Sequence, residues 1–397
     1  MIHSLSFENF FSFAERTEIS FLMDGRATPN DKSAISPILQ KRVSKVIAVV
    51  GANGAGKTNA IKPFAFLAWF IASSLYEDTE KKIQIYPNLF TKNKTSKFSI
   101  EFETKRNLYR YTLHISRDGV ELEELAEKTS RLWSTVFSRT INADDNTYIV
   151  KAKGLGITKK QLEKINSKVS LISATAPLGA EKSIEISEYF DEFSTNIHAF
   201  GKYNFTGLSD VLFATSYYEE NEEHRQKMIS LLRNWDFGLS DIKIEKTKGV
   251  DSDGNEKEYS IPFGIHKSSK RTIKLALTTE SSGTQAAYYL LSRILPALET
   301  GGTIVFDELE SDMHPIMLHA ILSLFFNEKT NPKNAQIIFT THSLSILNEL
   351  QKCQILLVEK NNGMSEAWKL SDMEGVRSDD NFFAKYMSGS YGATPRI

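Results

Sequence analysis

The stretch VIAVVGANGAGKTNA, Val46 to Ala60, decides the fold of this chain. Its first five residues are small or β-branched and apolar, which predicts a buried strand. The strand leads into GANGAGKT, residues 51–58, which matches the phosphate-binding pattern G-x-x-x-x-G-K-[ST]. Glycines in such a loop let backbone N–H groups and the start of the next helix face a polyanion. The sequence therefore predicts an α/β domain that binds a nucleotide.

Two side chains of this loop have distinct expected roles. Lys57 is expected to reach the β and γ phosphates of ATP, and the Thr58 hydroxyl to ligate Mg²⁺. ATP and Mg²⁺ are thus the expected cofactors. The predicted nucleotide-binding residues are Asn53, Gly54, Ala55, Gly56, Lys57, Thr58 and Asn59.

The overall composition is that of an ordinary globular protein. The chain has 397 residues, of which 41% are apolar and 24% charged, and its formal net charge is −1. That balance argues against a dedicated non-specific nucleic-acid binder. Cys353 is the only cysteine, so no internal disulfide can form. The start lacks signal-peptide character and no long apolar run occurs, so we expect a cytoplasmic protein without a membrane partner.

A pair of acidic residues supplies the expected second half of the site. In GGTIVFDELESDMHP the apolar residues 304–306 predict a strand that ends at Asp307 and Glu308. Two adjacent acids at the end of a hydrophobic strand are costly unless they meet cations. We expect Asp307 to hold Mg²⁺, and Glu308 to orient and deprotonate the attacking water.

Another apolar strand, in AQIIFTTHS, is predicted to end at His342. A lone histidine at a strand end is more often a satisfied core residue than a catalytic one. However, the carboxyl ends of strands in an open α/β sheet converge on the ligand crevice, which favours a contact between His342 and the γ phosphate.

The segment ESSGTQ, residues 280–285, directly precedes an amphipathic helical pattern. Ser282, Gly283 and Thr284 are thus predicted at a helix N-terminus, where free N–H groups and the helix dipole favour an anion. Simple helix capping would explain one serine or threonine there equally well.

The order of these motifs resembles that of ABC-type ATPases. In this resemblance residues 281–285 occupy the place of the Leu-Ser-Gly-Gly-Gln signature, which touches the γ phosphate held by another protomer. Ser311 and Asp312 fall at the D-loop, and His342 at the switch histidine. Gln84 is one candidate for the Q-loop glutamine. The resemblance implies an ABC-type P-loop ATPase head, with a mixed central sheet flanked by helices and an N-terminal antiparallel β-subdomain, that works as a homodimer or higher homo-oligomer through its ATP sites.

The predicted organisation has three parts. Residues 1–119 and 236–397 are expected to form the two halves of the head. Residues 120–235 are rich in Lys, Glu, Ser and Asn and carry several helical patterns, so they predict a helical insertion lobe.

Across most of the chain outside the insertion, the sequence is similar to ATPases of bacterial anti-phage and abortive-infection systems, the AbiL/RloA/AriA-like group. The carrying segments include LSFENFFSFAERTEISF, ESSGT, DELESDMHP and YMSGSYGATPRI. Such ATPases control a separate effector, a nuclease or toxin, which would be the expected partner. A DNA-repair ATPase of the RecF or SMC-like kind is the alternative, with KAKGLGITKKQLEK as a possible DNA contact, although a solvated helix face explains that stretch as well. A transporter subunit is disfavoured by the large insertion.

Overall fold

The computed structural model describes residues 1–23, 32–142, 147–203, 207–250 and 256–395. In these ranges the chain forms two large sheets, one antiparallel and one mainly parallel, with helices around the parallel one. The strands, in chain order, are β1 (Ile2–Glu8), β2 (Thr17–Ser20), β3 (Ser33–Ile35), β4 (Arg42–Ser44), β5 (Val46–Gly51), β6 (Ser96–Glu103), β7 (Leu108–Ser116), β8 (Gly119–Lys128), β9 (Trp133–Ile141), β10 (Tyr148–Ala152), β11 (Ser194–Thr195), β12 (Ile197–His198), β13 (Gly201–Lys202), β14 (Asp241–Val250), β15 (Glu256–Lys267), β16 (Thr272–Ala276), β17 (Thr303–Phe306), β18 (Gln336–Thr340), β19 (Ile355–Asn361) and β20 (Met364–Lys369). The α-helices are α1 (Lys57–Ser73), α2 (Lys159–Leu162), α3 (Leu171–Thr175), α4 (Glu181–Asp191), α5 (Leu208–Glu220), α6 (Glu222–Asn234), α7 (Ser282–Thr300), α8 (Ile316–Phe326) and α9 (Phe382–Met387). Short 3₁₀ turns span Ser74–Tyr76, Ala176–Leu178, Leu277–Thr279, Leu344–Glu349, Lys352–Gln354 and Leu370–Asp372.

The central sheet has the strand order β11-β17-β18-β5-β19-β20. All its pairs are parallel except β19 with β20. The strands β5, β17 and β18 are buried almost throughout, as expected for parallel strands covered on both faces. Their carboxyl ends meet at one edge of the sheet, so the residues that follow them share one crevice.

Two hydrophobic clusters cover the two faces of this sheet. Ile47 and Val49 of β5 pack with α1 and the antiparallel sheet, whereas the alternate residues Val46, Ala48 and Val50 pack with α7 and α8. Successive side chains of a strand point to opposite faces, so this division places the central sheet between two cores. The fold is that of a P-loop ATPase head, as the sequence predicted.

The antiparallel sheet has the strand order β10-β9-β8-β7-β6-β1-β2. Along β1, β2, β6 and β7, buried residues mostly alternate with less buried ones, which is typical of an antiparallel sheet with one face on the core. A separate sheet, β14-β15-β16, lies immediately before the segment that leads to α7.

The prediction of a helical segment over residues 120–235 is wrong for its first part. Strands β8, β9 and β10 continue the antiparallel sheet up to residue 152. Glu123 of β8 and Arg139 of β9 are almost completely buried and pair at 2.8 Å, although both residue types are usually found on the surface. Because charged residues occupy buried positions here, the alternation of apolar and polar residues that predicts a strand is interrupted in the sequence. The domain boundaries themselves stay a prediction.

The rest of this region carries helices α2 to α6, as the helical patterns predicted, together with the short strands β11 to β13, and it packs against both sides of the head. Helices α3 and α4 contact α1, whereas α5 and α6 contact α7. Between them, β11 joins the edge of the central sheet beside β17. In the described ranges no helix combines the length and apolar character needed to cross a bilayer.

Candidate functional site

The phosphate-binding loop connects β5 to α1. Gly56 precedes the helix with a φ of 107°, in the left-handed region that favours glycine. A Cβ atom there would lie 2.3 Å from the Ser365 hydroxyl, which itself donates a hydrogen bond to the carbonyl of Ala55 at 2.6 Å. Asn59 donates to the Ser12 hydroxyl at 2.9 Å. These contacts fix the loop against the β1–β2 connection and β20.

Lys57 lies along the inside of this loop. Its ammonium donates to the carbonyls of Gly51 at 3.0 Å and Ala52 at 3.2 Å. Burial lowers its pKa, while the carboxylates of Asp307, Glu308 and Glu310 oppose that shift. The lysine is therefore placed where a phosphate chain lying in the loop would meet its charge.

Asp307 follows β17 and faces Thr58. The Thr58 hydroxyl donates to Oδ2 of Asp307 at 2.8 Å, and the Thr340 hydroxyl donates to Oδ1 at 2.6 Å. A hydroxyl and a carboxylate side by side are hard oxygen donors of the kind that Mg²⁺ prefers. The two residues predicted as metal ligands are thus brought together, and their chemistry fits Mg²⁺.

Glu308 is held between two basic side chains. Its Oε2 accepts hydrogen bonds from Lys202 at 2.9 Å and from Ser311 at 3.2 Å, and its Oε1 lies 3.7 Å from Nε2 of His342. The hydrogen bond from Lys202 is the main cause of a lowered pKa of Glu308. The backbone of Glu308 has a φ of 49°, and its N–H donates to the Thr340 hydroxyl at 2.7 Å. The carboxylate is therefore ionised and fixed in direction.

Glu310 organises the turn that carries His342. One of its carboxylate oxygens accepts from the Thr341 hydroxyl at 2.8 Å and from the backbone N–H groups of His342 at 2.7 Å and Ser343 at 3.1 Å. Charge-assisted bonds of this kind are stronger than neutral ones. Glu310 thus sets the position of the histidine, a role that the sequence analysis did not assign.

Two further residues of the site were missed, Asn196 and Lys202. The Asn196 amide bonds both backbone groups of Asp307, accepting from the N–H at 2.8 Å and donating to the carbonyl at 2.9 Å. Lys202 bonds Glu308 and also donates to the Ser311 hydroxyl. Asn196 directly follows β11, so the strand-end rule that found Asp307 would have found it had so short a strand been recognised.

Asn196→Ala is expected to lower the free energy of unfolding by about 1–3 kcal/mol, because it leaves two backbone groups of buried Asp307 without partners. Denaturant unfolding of the two purified proteins measures the difference. Asn234→Ala, at an exposed position that ends α6, is the matched control and should change stability by less than about 0.5 kcal/mol. Equal stability of the two variants would show that the hydrogen bonds between the Asn196 amide and the Asp307 backbone do not stabilise the fold.

The ESSGT segment begins α7 as predicted. The Ser281 hydroxyl accepts from the backbone N–H of Thr284 at 3.2 Å, and the Thr284 side chain is buried. Ser282 is exposed, and a Cβ on Gly283 would lie 2.9 Å from the carbonyl oxygen of Asp312. In this turn Ser281 and Ser282 are exposed, Gly283 is partly exposed and Thr284 is buried. Within the described part of the chain, Ser282 and Gly283 form no hydrogen bond to the phosphate loop of the same chain.

The remaining predicted positions are placed as follows. Asn53 and Gly54 lie exposed at the tip of the phosphate loop, and Asp312 lies exposed in the segment after β17. Gln84 is also exposed and accepts a hydrogen bond from the Tyr86 hydroxyl at 3.0 Å. Among the described residues, the Gln84 side chain forms no hydrogen bond to Thr58 or Asp307, so its place as the Q-loop residue stays a prediction.

Comparison with known proteins gives a family match and a similar solved structure. The family model described as AAA domain, putative AbiEii toxin, Type IV TA system, matches residues 46–348. A search among curated proteins finds no match. Among solved structures, an SMC head domain from Thermotoga maritima is similar over 93% of this chain and 98% of that chain, with 15% sequence identity and a TM-score of 0.43.

Proposed function

This chain belongs to the family described as AAA domain, putative AbiEii toxin, Type IV TA system, and from that membership we propose that it is an ATPase whose copies assemble around ATP to control a separate effector. The effector would be a nuclease or toxin of an anti-phage system, as in the AbiL/RloA/AriA-like ATPases that the sequence resembles. The ATPase reaction of this chain would yield ADP and phosphate. Binding and hydrolysis of ATP would control whether its copies are assembled.

One observation carries the proposal: in the described part of the chain, the side chains of the candidate catalytic residues are open to solvent. The side chains of Glu308 and His342 are 43% and 47% exposed. Hydrolysis of a bound phosphoanhydride needs a site from which bulk water is excluded. The exposed turn at Ser282 and Gly283 has no hydrogen bond to its own phosphate loop among the described residues. A second copy would bring its own turn to cover the phosphates, and so complete the site.

The chain's own groups account for the chemical step. Backbone N–H groups of the loop and the start of α1 would bind the phosphates, and Lys57 would neutralise them. Thr58 and Asp307 would hold Mg²⁺, a Lewis acid that would supply positive charge beside the phosphates. Glu308 would orient the attacking water and take its proton, and His342, placed by Glu310, would donate a hydrogen bond to the γ phosphate.

Ser282→Arg tests the shared site. The bulky charged side chain would block contact between the α7 turn and a facing copy, while the phosphate loop of the same chain stays intact. We expect ATP affinity to stay within about twofold and ATP-dependent dimer formation and hydrolysis to fall at least about tenfold, as for loss of one transition-state contact. Analytical ultracentrifugation with and without ATP, together with phosphate release, measures both quantities. Ser388→Arg, at an exposed position after α9, is the control. Full hydrolysis by Ser282→Arg would reject the shared site.

A DNA-repair role of the RecF or SMC-like kind is the second candidate. The lysines of residues 151–164 are exposed beside the edge strand β10 and α2, and one of them pairs with Glu163 at 3.4 Å. A DNA affinity that falls steeply with salt would favour this role. Co-purification with a toxic partner protein would favour effector control.

A further inference from the structure

A cleft of about 380 Å³ lies beside α1, separate from the candidate nucleotide site. Its walls are mainly apolar and include Phe10, Phe66, Trp69 and Ile197. Its lining contains neither residues 51–59 nor the acidic residues that follow β17. Its size lies within the range of small-molecule sites, which are typically concave and apolar with few polar groups.

Lys62 is the most buried charged residue that lines this cleft. Its side chain is 7% exposed, and its ammonium lies 3.8 Å from the centre of the Phe11 ring and donates to the carbonyl of Ala199 at 3.2 Å. Within the described residues, no carboxylate lies within ion-pair distance of it. Burial lowers the pKa of Lys62 to about 8, against the weaker influence of Asp307. A buried cation with one carbonyl and one ring as partners is incompletely compensated.

Two of the three lysines at the rim differ from Lys62, because each already has a carboxylate partner, whereas the third bonds a carbonyl as Lys62 does. Lys81 lies 3.5 Å from Asp78, Lys82 lies 3.4 Å from Asp118, and Lys168 donates to the carbonyl of Thr79 at 2.6 Å. An anionic group that enters the cleft would therefore gain most at Lys62, which is the most buried of these lysines and has no carboxylate within ion-pair distance among the described residues.

We propose that this cleft binds a small molecule with a flat apolar body and a single anionic group, the anionic group pairing with Lys62 and the apolar body packing against Phe66 and Trp69. The chemistry of the walls selects for aromatic acids over nucleotides, because a triphosphate would place several further charges against apolar side chains.

The position of the cleft links it to the candidate ATPase site. Residues 196–202 form one short segment that contacts both the cleft and the candidate ATPase site. Its first residue, Asn196, holds the backbone of Asp307, and its last, Lys202, bonds Glu308, while Ile197, His198 and Ala199 line the cleft. A ligand that shifts this segment changes the partners of the Asp307 backbone and of the Glu308 carboxylate. This second step rests on the proposed ATPase function, and the binding step does not.

Anilinonaphthalene sulfonate, a fused aromatic ring with one sulfonate, is a suitable probe for the full-length protein. Binding is followed by energy transfer from tryptophan, since Trp69 lines the cleft. We expect saturable binding that excess Mg-ATP does not displace. Lys62→Met should weaken it at least tenfold, and Ala65→Trp, which fills the cleft from α1, should abolish it. Lys82→Met, at the rim, is the matched control and should leave it unchanged.

The outcomes separate binding from coupling. Saturable binding of equal affinity in wild type, Lys62→Met and Ala65→Trp would overturn the proposed site, as would the absence of saturable binding in the wild type. Circular dichroism of each variant shows whether it folds. If Lys62→Met does not fold, the binding measurement on Ala65→Trp tests the proposed site. A change of ATP turnover of several-fold at saturating probe, lost in Lys62→Met, would support the coupling. Unchanged turnover with the cleft filled would reject the coupling and leave the binding site in place.

Discussion

Glu308→Gln is expected to lower kcat for ATP hydrolysis by about 10²- to 10⁴-fold, the range by which general-base catalysis accelerates proton transfer. The amide keeps the shape of the side chain and can still accept hydrogen bonds from Lys202 and Ser311, but it cannot take a proton from water. ATP should bind with nearly unchanged affinity, because the phosphate loop and its lysine are untouched. Since hydrolysis opens the proposed assembly, the variant should accumulate as a closed, ATP-loaded pair.

Two measurements test this expectation, phosphate release and size-exclusion chromatography in the presence of Mg-ATP. Glu328→Gln removes the same charge from an exposed position after α8 and should behave as wild type in both. If Glu308→Gln turns over ATP at the normal rate, another group deprotonates the water and the role assigned to Glu308 is wrong.

Lys57→Ala is expected to weaken ATP binding by about 30- to 100-fold, because it removes hydrogen bonds from a charged donor to phosphate, each worth about 1.5–3 kcal/mol. Hydrolysis should fall to background. The folded protein should keep its stability within about 1 kcal/mol, since the bonds from Lys57 to the carbonyls of Gly51 and Ala52 lie in a loop that water can reach.

Isothermal titration with ATP in the presence of Mg²⁺ measures the change. Lys329→Ala, in an exposed turn after α8, is the control for loss of one lysine charge. Unchanged ATP affinity in Lys57→Ala would mean that the nucleotide lies elsewhere, and the assignment of the loop would have to be abandoned.

The predictable part of the site consists of residues whose strands are long and continuously apolar. Strands β5, β17 and β18 are such strands. The phosphate-binding pattern after β5 predicted Thr58, and the polar residues after β17 and β18 predicted Asp307 and His342. The start of α7 was equally visible, because serine is a strong capping residue before an amphipathic helix.

The unpredicted part depends on pairing between distant segments. Strand β11 has only two residues, too few for any periodic pattern, and it becomes recognisable only through its parallel pairing with β17. Asn196 and Lys202 therefore lay in a region that was interpreted as helical. Strands β8 and β9 were missed because they contain Glu123 and Arg139, whose residue types usually lie on the surface. In the structure these two side chains form an ion pair in the core.

The central claim is that each ATP site is built from two copies of the chain, and mixing two inactive variants tests it most directly. Glu308→Gln keeps an intact α7 turn, and Ser282→Arg keeps an intact phosphate loop and catalytic glutamate. Mixed without nucleotide and then given Mg-ATP, unlike copies would form one complete site, so we expect hydrolysis at least about tenfold above the sum of the separate activities. Activity of the mixture equal to that sum, with mixed dimers present, would contradict the account.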